Sequence, residues 1–189
     1  ECHLQNSLGD EIRNWLFEYA ETNSLSFYDL KAQHGLLRTL MIRISSTGEV
    51  MVCVVFGENN SQDIKDLMSN LYEKFPMITS LLYVVNLKVN DTISDQEIIV
   101  FKGREYINEE MEGLHFRVNA KSFYQTNSLQ AYELYKVARK FAGLEDEIEE
   151  NKKRDIIIQY FKQNPVGNLY KRLGFVDYNE KPYHYQLIK

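Results

Sequence analysis

Apolar residues recur at helical spacing over residues 8–22, where Leu8, Ile12, Trp15, Leu16 and Tyr19 fall on one face. Ser7 is suited to cap this helix, and Asp10 and Glu11 stand where the helix dipole favours negative charge. The period then changes. In "LLRTLMIRISSTGEVMVCVVF" (36–56) two β-rich runs flank Ser46, Thr47 and Gly48, which predicts a hairpin. Helical spacing returns in "NSQDIKDLMSNLYEKFP" (60–76) through Ile64, Leu67, Met68, Leu71 and Phe75, with Asn60 or Ser61 as cap and Pro76 as stop. Strands are expected at about 79–89, 97–102 and 114–119, with polar turns around Asn90–Asp91 and Glu109–Gly113. A third helix from Ser128 to Ala142 turns Leu129, Tyr132, Tyr135, Ala138 and Phe141 to one side and ends at Gly143. These periods predict an α+β fold whose mostly antiparallel sheet is flanked by helices, with 8–22 and 61–75 covering one face.

After Leu144 the composition shifts. "EDEIEENKKRD" is a charge run, read as a solvated linker over 145–154. A small β–α–β tail follows over 155–189, in "DIIIQYF", "NPVGNLYKRLGF" and "KPYHYQLIK". At 189 residues the chain suits one good-sized core or two small ones. Its net charge of −5 comes entirely from residues 1–144, which hold 14 basic and 19 acidic groups, whereas 145–189 holds 8 of each. Bulk electrostatic binding of nucleic acid is therefore not expected, and a local basic stripe of Arg38, Arg43, Arg104, Arg117 and Lys121 is the alternative, giving weak RNA binding. No apolar run approaches the roughly 18 residues of a membrane span and no signal peptide precedes the first helix, so no membrane association and a cytoplasmic setting are expected. Two cysteines make no disulfide framework; Cys53, inside "VMVCVVF", reads as a small core residue. The four histidines, His3, His34, His115 and His184, are scattered, and none pairs at metal-ligand spacing. Nothing in the pattern sets an oligomeric state.

"KSFYQTN" (121–127) joins the last expected strand to the third helix. Read from pattern alone, Asn127 or Ser128 caps the helix, Phe123 staples it and Gln125 is a loop residue. The stretch also resembles the lead-in to the catalytic domain of the RNA uracil-5-methyltransferases, which make 5-methyluridine in ribosomal and transfer RNA. The matching residues are Phe116–Arg117–Val118, Ser122–Phe123–Tyr124–Gln125, Asn127, Gln130–Ala131 and Leu134–Tyr135. Upstream, "HGLLRTLMIRISSTGEVMVCVVF" resembles that family's central-domain hairpin, with Arg38 and Arg43 at matching places. The resemblance covers about residues 1–144 and implies a central, RNA-facing domain over 1–113 and a lead-in strand, loop and helix over 114–144.

The resemblance implies that Gln125 contacts S-adenosylmethionine and that Phe123 packs at the target base, a use suited to an aromatic face beside an extruded pyrimidine. It implies RNA contacts for Arg38 and Arg43. Cys2 matches one of four iron–sulfur ligands of one branch of the family; a lone cysteine holds no cluster, so none is expected. The family's nucleophilic cysteine, glycine-rich cofactor turn and acid/base carboxylate would follow Leu144, and nothing resembling them does. The expectation is an inactive fragment, without its catalytic core, of an S-adenosylmethionine-dependent RNA uracil-5-methyltransferase that acts on ribosomal RNA. The tail is similar instead to the closing helix and strand of acetyl-CoA-dependent N-acetyltransferases, where Tyr170 would protonate the departing CoA thiolate and Asn164 would contact acetyl-CoA. An ordinary amphipathic helix with Val166, Leu169, Tyr170 and Leu173 inward fits the same residues. Three readings stay open: a methyltransferase fragment, an acetyltransferase known only by its tail, and a non-catalytic RNA- or protein-binding module.

Overall fold

A computed structural model describes residues 6–125 and 127–141, and these fall into two units divided between Gln125 and Asn127. Residues 145–189, where a charged linker and an acetyltransferase-like tail were expected, lie outside the described residues. The first unit begins with helix α1 (Ser7–Thr22). Asn6, not Ser7, is its cap: the Asn6 side-chain oxygen accepts the Leu8 amide at 3.0 Å. Strands β1 (Leu37–Ile44) and β2 (Val50–Phe56) form the expected antiparallel hairpin. Helix α2 (Ser61–Lys74) follows, with the Asn60 side chain accepting the Asp63 amide. Strand β3 (Ile78–Val85) then runs parallel to β2, so α2 is a crossover between two neighbouring strands. Strand β4 (Ile99–Gly103) returns antiparallel to β3, completing a sheet of order β1-β2-β3-β4. The architecture is α+β and mostly antiparallel, with the one parallel pair at its centre.

Every residue of β2 is buried, because the sheet is covered on both faces. On one side Val50, Val52, Val54 and Phe56 meet Ile12 and Leu16 of α1 and Ile64, Leu67, Met68 and Leu71 of α2. On the other side Met51, Cys53 and Val55, with Leu82 and Val84 of β3, meet Ile107, Val118 and Ala120. Those last residues belong to a second hairpin, β5 (Tyr106–Met111) and β6 (Leu114–Asn119), with Ala120 just beyond it. The domain is three layers: helices, sheet and hairpin. Strand β5 occupies residues where a turn over Glu109–Gly113 was expected. The turn itself is only Glu112 and Gly113, both at positive φ, and Met111 pairs with Leu114. Residues 86–89, expected to extend a strand, instead join the turn at Asn90 in a loop closed around buried Asn86, whose side chain donates to the carbonyls of Asn90 and Thr92 and accepts the Lys88 amide.

In the second unit, helix α3 (Ser128–Phe141) starts at Asn127, whose side-chain oxygen accepts the Gln130 amide at 3.0 Å.

Candidate functional site

The segment after β6 is built as a clamped, outward-facing loop. Asn119 and Ser122 close it locally. The Asn119 side-chain oxygen accepts the Lys121 amide at 2.9 Å and the Ser122 hydroxyl at 3.0 Å, while the Ser122 amide donates to the Asn119 carbonyl at 3.1 Å. Lys121 reaches back, its Nζ donating to the Gln96 carbonyl at 2.6 Å. Arg43, on β1, donates from Nη1 to the Ser122 carbonyl at 2.8 Å and from Nη2 to the Ala120 carbonyl at 3.5 Å. Tyr124 packs against the core between the sheet and the β5–β6 hairpin. The residues on either side of it do not. Phe123 is 61% exposed, and Gln125 is exposed. A core-filling role for this phenylalanine is therefore excluded by its position. The loop holds one aromatic inward as an anchor and presents another beside an amide.

The Tyr124 anchor is a site residue that the motif reading passed over. Its signal was the alternation of 123, 124 and 125, in which the middle side chain takes the opposite face from its neighbours.

Arg43 and Cys53 share this side of the sheet. Burial draws the Arg43 guanidinium below its ordinary value. Burial also pushes the Cys53 thiol up to about 11, against the opposing pull of Arg43. A thiol so held is neutral near pH 7 and is no nucleophile. Among the described residues no group of His, Cys, Asp and Glu is arranged to hold a metal ion. Cys2, Asn164 and Tyr170 lie outside the described residues.

The remaining residues of the expected basic stripe, Arg38, Arg104 and Arg117, fall in two places. Arg38, at the other end of β1, donates to the carbonyls of Asn86 at 3.0 Å, Lys88 at 2.5 Å and Val89 at 2.9 Å, and stands 4.4 Å from the centre of the Tyr28 ring. It does for the 86–90 loop what Arg43 does for the 120–122 segment. Arg104 and Arg117 flank one ring, with guanidinium carbons 4.9 and 4.6 Å from the centre of Tyr106. Arg104 also pairs with Glu49. A shallow depression lined by Trp15, Glu18, Tyr19, Thr22 and Asn23 lies on the helix side of the sheet, whereas the loop is anchored on the hairpin side. No described helix is long and apolar enough to cross a membrane.

No family model matches the chain. Individual proteins do. The chain is 57% identical over 146 residues to an uncharacterized RNA methyltransferase of Porphyromonas gingivalis, covering 76% of this chain and 31% of that protein. It is 51% identical over 147 residues to an uncharacterized RNA methyltransferase of Bacteroides thetaiotaomicron, covering 76% and 32%. Among solved structures it is similar to the Pyrococcus abyssi tRNA (uracil-54, C5)-methyltransferase in complex with S-adenosyl-L-homocysteine. The TM-score is 0.53 and the identity 31%, over 66% of this chain and 30% of that one. The chain thus spans about a third of the length of the curated relatives it matches. Its homologues are RNA methyltransferases by name, and none of the relatives named here is an acetyltransferase.

Proposed function

We propose that this chain is a non-catalytic portion of an S-adenosylmethionine-dependent RNA uracil-5-methyltransferase, and that its 120–125 loop serves the substrate uridine. In this reading Phe123 offers its ring to the target base and Gln125 turns its amide to S-adenosylmethionine. Arg38 and Arg43 support RNA binding by holding the two loops to which they donate. The carrying observation is the outward placement of Phe123 and Gln125 on a loop fastened by Tyr124, Arg43 and Lys121. Two further facts favour it: relatives named RNA methyltransferases, and a structural neighbour holding the demethylated form of the methyl donor. Among the described residues the chemistry supports a binding role. A uracil C5 methylation needs a thiolate to add at C6, and the thiol of Cys53 is buried and neutral.

The test is anisotropy of a fluorescein-labelled oligouridine titrated with the 189-residue chain at 50 mM salt. Binding is expected to be weak and to fall steeply with added salt. Phe123→Ala should weaken it about five- to 150-fold, the range that one base–aromatic stack of about 1–3 kcal/mol spans. In calorimetry, S-adenosylmethionine alone should bind more weakly than about 1 μM, since one glutamine amide cannot supply roughly 8 kcal/mol. RNA binding indifferent to Phe123→Ala would sink the reading of the loop.

A further inference from the structure

We propose that Arg43 is a positioning residue for the loop: it touches main chain and not RNA, and its guanidinium fork fixes the outward presentation of Phe123 and Gln125. The inference rests on the proposed role of the loop. Three observations carry it.

Arg43 addresses two carbonyls two residues apart, Ala120 and Ser122, immediately before Phe123. The local turn made by Asn119 and Ser122 shapes the segment but ties it only to itself. Arg43 ties it to the sheet.

The base of the tether is rigid. Arg43 pairs with Met51 in the β1–β2 ladder, and its neighbour on the same face, Met41, packs into the core that Tyr124 also joins. Side chains on one face of a strand keep a fixed direction. The guanidinium is thus delivered to the loop by a strand pair rather than by another loop.

The head group is partly withdrawn from solvent, and its burial lowers its proton affinity without removing the charge. A cation turned inward to carbonyls is poorly placed to contact a phosphate. A planar fork also suits two acceptors in a way that an ammonium does not, because lysine offers a point charge on a flexible stem. Arg43→Lys therefore keeps the charge and removes the clamp.

The test uses the 189-residue chain with two readouts. Amide hydrogen exchange is followed at Lys121 and Ser122, whose amides are hydrogen-bonded inside the loop, and at Cys53 and Val55 of β2 as a scaffold reference. In Arg43→Lys the loop amides should exchange at least tenfold faster while the β2 amides stay unchanged. Oligouridine anisotropy should show Arg43→Lys weakening binding as much as Phe123→Ala does, the double variant no weaker than either, and an unchanged slope of affinity against salt. Arg43→Gln, which retains side-chain donors, replaces the lysine variant if that does not fold. Three results overturn the proposal: loop exchange unaltered, loop and β2 exchange raised equally, or an additive loss with a shallower salt slope, the mark of a direct phosphate contact. If the wild-type chain binds no RNA, or Phe123→Ala changes nothing, the loop's function falls while the exchange result still decides whether Arg43 positions it.

Discussion

Glu49, at the end of the β1–β2 turn, accepts the Asn108 amide at 2.6 Å and the Asn108 side chain at 3.2 Å, and pairs with Arg104. Burial alone would raise this carboxyl, but the hydrogen bonds from Arg104 and Asn108 outweigh it and hold the group below its ordinary 4.5. A depressed carboxyl stabilises the fold above its unfolded value and loses that contribution as the pH falls through the folded one. Glu49→Gln should therefore cost about 1 kcal/mol at pH 7, a charge-assisted bond discounted for partial exposure. The difference from wild type in thermal melts should shrink as the pH drops below about 4.5 and vanish in stronger acid. An equal difference at pH 7 and pH 3 would show that shape, not charge, matters there. The neighbouring turn residues work the same junction. The Ser46 amide and hydroxyl donate to Glu109, and the Thr47 hydroxyl donates to the Asn108 carbonyl at 2.8 Å. Residues legible in the sequence only as turn formers are here the dock for another hairpin.

At the scale of elements, the β5–β6 hairpin shows how a strand can hide. Its inward positions are Ile107, Glu109 and Met111, so a carboxylate occupies an apolar slot and breaks the alternation. Glu109 is only 4% exposed, and its partners come from the β1–β2 turn, more than sixty residues away in sequence. No local pattern reveals that. The hairpin's own turn is local, and it depends on Gly113 at φ 74°. Gly113→Ala puts an L side chain in the left-handed region and should destabilise the chain by about 1 kcal/mol, seen as a lower urea midpoint with an unchanged slope. No loss would mean that this turn adopts another geometry in solution. The helices were simpler to read, because their apolar stripes and caps lie within four residues of one another. Even so, the first cap is Asn6 rather than Ser7, a choice between adjacent residues of similar capping strength.

For the whole molecule, the hairpin layer gives the sheet a second covered face, and that layer carries the candidate site. Leu82, fully buried on this side, is central to it. Leu82→Ala should cost about 2–5 kcal/mol in urea unfolding, as core truncations do; a loss below 1 kcal/mol would show the layer to be loosely packed. What the sequence alone determined was everything set by short-range period and cap chemistry: three helices, the first hairpin, the class of fold, and the loop motif with Phe123 and Gln125. The continuous apolar run "VMVCVVF" also held a further message, since a strand without alternation is one covered on both faces. Tertiary structure decided the rest. It made β2 and β3 parallel neighbours across α2, drew Glu109 inside as a strand residue, and gave Arg38 and Arg43 main-chain carbonyls to donate to. The physical reason is common to all three. A buried charge or donor is tolerable only with a partner, and each of these partners lies more than twenty-five residues along the chain, where spacing carries no signal and only the packed layers bring the groups together.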